Sequence, residues 1–216
     1  MSEKLRTLLF VLSITLTLLV GVVGTYAYFV DEDSATNVFA VGKVKIELDE
    51  ADVDDSTPMM NRDKANSYEM IPGETFVKDP LVTVKEGSHA CWVFVEVIDN
   101  KVSYNGVKYQ ASDFLTYSIN EGADGWTKLS GEENIYYVEV PQTTEDLPLP
   151  NVLIDNQVVV RTDITKEMLN NVAAAAIYPE LSFKAYAFQK VKGDTNNDGV
   201  VEEFSVTEAW AQLQAE

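Results

Sequence analysis

The stretch "ACWVFVEVID", residues 90–99, decides the fold. It is almost continuously apolar, β-branched or aromatic, which is typical of a strand. Because successive side chains point to opposite faces of a strand, the residues divide into two rows. These are Cys91, Val93, Val95 and Val97 on one face, and Trp92, Phe94, Glu96 and Ile98 on the other. The preceding stretch "TFVKDPLVTVKEG" predicts another strand, and Glu86–His89 separates the two.

Similar apolar stretches recur outward from this centre. The first, "NVFAVGKVKIEL", alternates partly, and "IPGE" at Ile71–Glu74 has the Pro-Gly order of a type II turn. Further strands are predicted at Phe114–Ile119, Ile135–Val140, Gln157–Asp163 and Leu181–Val191. Many short strands and few long helices favour an all-β fold, an antiparallel β-sandwich, over alternating βαβ units.

Two short helices are predicted as additions to this sandwich. Thr165–Ala176 begins at a capping Thr and ends before Pro179, although its alanine run also suits a loop. The C-terminal "SVTEAWAQLQ" has a capping box, Ser205 with Glu208, and an apolar stripe of Val206, Trp210 and Leu213.

The N-terminal sequence pattern predicts a signal helix. Met1–Arg6 is net basic, and Thr7–Gly24 is uncharged and rich in Leu, Val and Ile. Small residues follow, and Ala27 fits the cleavage position. We expect a signal peptide over residues 1–27 and a single domain over residues 28–216, and the alternative is an uncleaved membrane anchor.

The net charge excludes one class of partner. The 216 residues carry a formal net charge of −19, and removing residues 1–27 makes the chain one charge more negative. Nucleic acid is not an expected partner, because phosphate backbones repel so acidic a chain. Cys91 is the single cysteine, so the chain forms no internal disulfide.

The stretch "DTNNDGVVEEFS" has the spacing of a calcium-binding loop. Asp194, Asn196 and Asp198 occupy its first, third and fifth positions, Gly199 follows, and Val200 would offer its carbonyl. Ser205 replaces the usual bidentate Glu at the twelfth position, so Glu202 or Glu203 would have to compensate. The alternative interpretation is an acidic turn between a strand and the last helix.

Several stretches together resemble the TasA/camelysin family of Gram-positive bacteria. They are, in order, "GTYAYFVD", "TNVFAVGKVKIEL", "IPGETFVKDPLVTVKEGSHACWVFVEVI" and "LSFKAYAFQ". The resemblance implies a jelly-roll-like sandwich, secreted to the cell surface. It also implies cleavage between Ala27 and Tyr28 by a SipW-type signal peptidase.

Members of this family assemble into biofilm matrix fibres, in which the N-terminal segment of one subunit completes a sheet of the next. The resemblance implies the same role for residues 28–40, whose apolar side chains are Tyr28, Phe29, Val30, Val38 and Phe39. We therefore expect self-association by donor-strand exchange, with minor matrix subunits as further partners. The alternatives are that this segment is the first strand of its own sheet, and that the protein is a monomeric surface-anchored binding module.

Camelysins are also described as metalloproteases, so an enzyme is the competing hypothesis. The sequence has a single histidine, His89, and no HExxH motif, which a zincin needs for its metal and its base. We expect His89 to lie in a loop and Cys91 in the core. The acidic stretches Asp31–Asp33 and Asp49–Asp55 read as solvated surface. Catalytic residues are not predicted, and the question of activity stays open.

Overall fold

Antiparallel sheets make up the domain, which confirms the all-β prediction. The computed structural model describes residues 44–54, 62–64, 66–175, 178, 180–193 and 199–215. All of them belong to one compact unit, Thr36–Glu216.

The described strands and helices are as follows in chain order. The first strands are β1 (Ile46–Ala51), β2 (Arg62–Asp63), β3 (Thr75–Val77), β4 (Leu81–Val84), β5 (Cys91–Asp99), β6 (Val102–Tyr104), β7 (Val107–Tyr109) and β8 (Leu115–Thr116). They are followed by β9 (Thr127–Lys128), β10 (Ile135–Val140), β11 (Leu147–Pro148), β12 (Gln157–Val160), β13 (Leu181–Gln189), β14 (Val191–Gly193) and β15 (Glu202–Glu203). Helix α1 spans Lys166–Ala175 and helix α2 spans Val206–Gln214, and single 3-10 turns lie at Ala111–Asp113 and Ile154–Asn156.

Three sheets enclose the main core. Their strand orders are β13-β5-β10-β9, β11-β4-β1-β2 and β3-β12-β8. The valine row of β5 is buried there, as its alternation predicts, together with Val82 and Val84 of β4. Phe76 of β3 and Val158 of β12 pack against the same core from the third sheet. The hairpins β6-β7 and β14-β15 complete the fold.

A second apolar cluster covers the opposite face of β5. Phe94 is fully buried there, and its ring centroid lies 5.2 Å from that of Trp210 in α2. The Trp92 indole N–H donates to the carbonyl of Phe204 at 2.8 Å. Both faces of β5 are therefore buried, one against the sandwich core and the other beneath the C-terminal helix.

Local signals place both helices and one turn correctly. Ser205 and Glu208 form the predicted capping box of α2, and the Thr165 hydroxyl accepts from the backbone N–H of Met168 at the start of α1. Gly73 has a φ of +87°, and the Glu74 N–H bonds the Ile71 carbonyl at 3.0 Å, as a type II turn requires.

Some strand boundaries differ from the prediction. "TFVKDPLVTVKEG" is not one strand but two, β3 and β4, because Pro80 lacks an N–H and the side chain of Asp79 bonds the backbone N–H of Ala51. The strand predicted at Phe114–Ile119 is reduced to β8. A short strand that the sequence pattern does not predict, β2, pairs with the end of β1.

Candidate functional site

Two sheet edges lie close together in the described part of the chain. All nine residues of β13 pair with β5, and no other described strand pairs with β13. β1 pairs with β4 over its first four residues, and with β2 only at Glu50 and Ala51. Cα atoms of β1 and β13 approach within 8 Å, but no ladder joins these two strands. Edges of this kind can accept an additional strand.

A buried ion pair lies between these two edges. The Lys78 ammonium is 3.0 Å from both carboxylate oxygens of Glu50 in β1, and 5.6 Å from the ring centroid of Phe183 in β13. It also lies 5.8 Å from the ring centroid of Tyr68, whose hydroxyl donates to the Val77 carbonyl. Burial raises the pKa of Tyr68, and nearby carboxylates, Glu50 foremost, raise it further. The Lys78 ammonium is therefore surrounded by one carboxylate, that of Glu50, and two aromatic rings, those of Tyr68 and Phe183.

Three aspartates come together beside this ion pair. Oxygen atoms of Asp52, Asp54 and Asp63 lie within 4.8 Å of one another. Asp52 is buried, so the prediction that Asp49–Asp55 is solvated surface is wrong for this residue. Asp52 accepts a hydrogen bond from the Asp54 N–H, and Asp54 accepts one from the Ser67 N–H. Oxygen ligands of this type suit hard cations, but these local hydrogen bonds also account for the arrangement.

From the sequence alone, only two of the three aspartates could have been predicted to lie close together. Asp52 and Asp54 stand two residues apart, but Asp63 joins them only because β2 folds back on β1. Pairing of so short a strand was not visible in the sequence pattern.

The second half of the predicted calcium loop is described, and it includes β15, which pairs with the preceding strand β14. Val200 is exposed, and Glu202 and Glu203 form β15, which pairs with β14. The Glu203 carboxylate lies 2.9 Å from the Lys190 ammonium. Asp194, Asn196 and Asp198 lie outside the described residues, as do the predicted cleavage site at Ala27 and Tyr28 and the whole segment 28–40.

His89 and Cys91 lie where the sequence predicts. His89 is an exposed loop residue, and Cys91 is fully buried in β5. Burial raises the pKa of the Cys91 thiol to about 12, so it remains protonated at neutral pH. In this arrangement the two side chains do not form a nucleophile–base pair or a shared metal site, because one lies in solvent and the other in the core.

Neither of the two described helices has the length and apolar character that a membrane span requires. This finding concerns only the residues that the structure describes.

Comparison with known proteins identifies one family. Residues 1–79 match the family described as camelysin metallo-endopeptidase, a region that ends between β3 and β4. No curated protein and no solved structure matches the chain. Over residues 1–79 the chain is therefore similar to the camelysin family, in agreement with its resemblance to the TasA/camelysin proteins.

Proposed function

We propose that this protein is a secreted structural subunit of an extracellular, biofilm-type matrix fibre that polymerises by donor-strand exchange. The edge of β13, which pairs with β5 alone among the described strands, and its proximity to β1 are the observation that carries the proposal. The family match supports it at the level of the family, and it includes residues 28–40. Tyr28–Phe39 of one copy would pair with β13 of the next.

The chemistry of the two partners suits this pairing. The inward row of β13, Leu181, Phe183, Ala185 and Ala187, is buried in the core, so a strand added beside it would extend an apolar surface. Tyr28, Phe29 and Val30 at one end of the donor segment, and Val38 and Phe39 at the other, supply apolar side chains. Main-chain hydrogen bonds would give affinity, and alternate side chains would fix the register.

Electron microscopy and sizing chromatography test the proposal directly. Protein starting at Tyr28 is expected to form fibres, and protein starting after Phe39 is expected to stay monomeric. A synthetic peptide of residues 28–40 should inhibit fibre growth by occupying the acceptor edge, and a scrambled peptide of the same composition should not. Monomers from both forms, at all concentrations and in the presence of preformed fibre seeds, would overturn the proposal and favour a monomeric binding module.

Export and processing form a separate part of the proposal. We propose cleavage between Ala27 and Tyr28 by a SipW-type signal peptidase, release to the cell surface or matrix, and association with minor matrix subunits. The intact mass of protein recovered outside a Gram-positive host should correspond to a start at Tyr28. A mass that includes residues 1–27 would instead support an uncleaved anchor.

Calcium binding by Asp194, Asn196, Asp198 and the Val200 carbonyl is proposed from the loop spacing, with an affinity on the order of millimolar. The melting temperature should rise with Ca²⁺ and not with an equal concentration of Mg²⁺. Asp198→Asn should reduce that rise. An unchanged melting temperature at 10-fold excess over about 1 mM would contradict this proposal and leave the fibre role untouched.

Metallo-endopeptidase activity is the second candidate, because the family description names it. Among the described residues, the group that could hold a metal, Asp52, Asp54 and Asp63, offers only oxygen atoms, whereas catalytic zinc sites use histidine. Peptide hydrolysis that a chelator abolishes and Zn²⁺ restores would establish the activity. Equal hydrolysis by a His89→Ala variant would exclude the single histidine as a ligand.

A further inference from the structure

A carboxylate interrupts the apolar outer face of β5. Glu96 is half-buried in the row of Trp92, Phe94 and Ile98, and its Oε2 accepts a hydrogen bond from the Tyr186 hydroxyl at 2.8 Å. None of the ion pairs among the described residues involves Glu96. A partly desolvated carboxylate without a counter-charge favours a nearby cation.

The groups around Glu96 also favour positive charge. Glu96, Tyr186, Trp210, Leu213 and Gln214 line a shallow pocket of about 510 Å³, here called the helix-end pocket. The rings of Tyr186 and Trp210 meet edge to face with centroids 5.6 Å apart, and aromatic faces attract cations. Leu213 and Gln214 belong to the last turn of α2, which contains no basic residue to offset the partial negative charge of its carbonyls.

Hydrogen bonds fix the orientation of two aromatic side chains that line this pocket, Trp210 and Tyr186. The Trp210 indole N–H donates to Glu132 Oε1 at 3.1 Å, which fixes the ring. Burial and then the hydrogen bond to Glu96 raise the pKa of Tyr186, so its hydroxyl remains a donor at neutral pH. The second carboxylate oxygen of Glu96, Oε1, has no hydrogen-bond partner among the described residues, so it can receive a ligand.

One intramolecular competitor exists. Lys184 is the cross-strand neighbour of Glu96 on β13 and lies on the same face of the sheet. Its ammonium forms no ion pair with Glu96 in the structure. Because directly opposed residues of an antiparallel pair have Cβ atoms about 5 Å apart, the Lys184 ammonium would compete with an external cation for this carboxylate and weaken its binding.

We propose that the helix-end pocket binds a primary alkylammonium group. The ammonium would bind the Glu96 carboxylate beside the Tyr186 and Trp210 rings, and the alkyl chain would lie against Leu213. Both a lysine side chain on another polypeptide and a free diamine carry this chemistry. This inference does not depend on the fibre role, because the pocket lies on the outer face of the sheet and requires no donor strand.

Nuclear magnetic resonance of the ¹⁵N-labelled full chain tests the proposal. Titration with n-pentylamine should shift the indole N–H signal of Trp210 with an affinity on the order of 1 mM, because single exposed ionic and cation–π contacts are weak. The Trp126 indole, which is fully buried and bonded to the Pro150 carbonyl, should not shift and serves as an internal reference. The neutral analogue 1-pentanol controls for the alkyl chain.

Two substitutions test the roles of the charges. Glu96→Gln retains an acceptor for Tyr186 but removes the negative charge, so pentylamine binding should weaken about tenfold or more. Lys184→Met removes the competing ammonium and should tighten binding about threefold. Glu145→Gln, an exposed change at a different surface, should leave binding unchanged.

The outcomes are distinct. No shift of the Trp210 signal, an equal shift with 1-pentanol, or unchanged affinity in Glu96→Gln would each overturn the proposal. Saturable binding of Nα-acetyl-lysine methylamide would identify a polypeptide lysine as a suitable source. Binding of cadaverine alone would identify a free diamine.

Discussion

Lys78 places a positive charge among apolar and aromatic side chains. Its side chain is 9 % exposed and that of Glu50 is 12 % exposed, so each charge depends on the other. Glu50→Ala should therefore lower the free energy of unfolding by about 3 kcal/mol, because it leaves an unpaired buried ammonium. Urea denaturation measures this loss.

An exposed pair provides the matched control. Glu47 bonds Lys85 at 2.8 Å, and their side chains are 48 % and 35 % exposed. Glu47→Ala should change the free energy of unfolding by less than about 1 kcal/mol. The double variant with Lys78→Met and Glu50→Leu should recover most of the loss of Glu50→Ala. Equal effects of the two single substitutions would contradict the distinction between buried and exposed pairs.

Position 125 needs a glycine because a side chain would not fit there, and not because of its backbone conformation. A Cβ atom at this position would overlap the backbone carbonyl oxygen of Asn120, which accepts the N–H of the adjacent, fully buried Trp126. Gly125→Ala should therefore lower the free energy of unfolding by about 2 kcal/mol or more. A thermal melt followed by near-ultraviolet circular dichroism reports both stability and the Trp126 environment.

Gly131 separates this steric effect from the conformational one. It has a φ of +91°, but a Cβ there meets no atom within 4 Å. Gly131→Ala should lower the free energy of unfolding by only about 1 kcal/mol. A larger loss at Gly131 than at Gly125 would show that the turn around Trp126 relaxes easily.

Helix α2 depends on the charge of Glu208. The Lys192 ammonium, and then the Ser205 N–H and hydroxyl, lower the pKa of Glu208 to about 2 from its usual value near 4.5. The unfolded chain therefore binds this proton more readily than the folded chain. Glu208 contributes stability above about pH 4.5 and loses it as the pH falls toward 2.

This dependence gives a testable difference. Glu208→Gln should lower the urea midpoint at pH 6, and the difference from the wild type should shrink at pH 3. Ser205→Ala removes the N-cap and should lower the free energy of unfolding by about 1 kcal/mol at pH 6. A difference between wild type and Glu208→Gln that stays constant across this pH range would contradict the depressed pKa.

Elements with a regular local pattern were predictable from the sequence, and those that depend on distant pairing were not. The alternation in β5 and the Ser205–Glu208 spacing each involve neighbouring residues, so the sequence displays them directly. β2 has only two residues, and its pairing with β1 depends on a fold-back that no local pattern encodes. The prediction of one strand across Pro80 was wrong, and the role of Asp79 as a partner for Ala51 depends on a contact between distant segments that the sequence does not display.

The same limit applies to the candidate sites. Residues 28–40 and the calcium-type loop are contiguous, so motif and resemblance suffice to propose them. The adjacent edges of β1 and β13, and the groups that converge on Glu96, come from segments far apart in the chain. Only the folded chain brings them together.

The charge of the whole chain has its own consequence. With a formal net charge of −19, the folded state is destabilised by repulsion among its carboxylates. Raising the salt concentration from about 10 mM to about 200 mM shortens the screening length. The melting temperature should rise by about 2–4 °C, the change expected for about 1 kcal/mol in a domain of this size.

Sodium chloride and sodium fluoride should act alike if screening is the cause. A fall in the melting temperature would mean that favourable ion pairs, such as those of Lys85 and Lys190, outweigh the repulsion. Calorimetry of protein that starts after Phe39 keeps the proposed assembly out of the measurement.

The burial of Cys91 makes the protein convenient for site-specific labelling. Because the chain has no other cysteine and this thiol is inaccessible and protonated, maleimide reagents should leave the native protein unmodified. A cysteine introduced at any exposed position would then be the sole reactive thiol, without a prior substitution in the core. Fluorophores or spin labels at such positions could thus report distances within the folded domain, or between copies in the proposed fibre, without any change to the core.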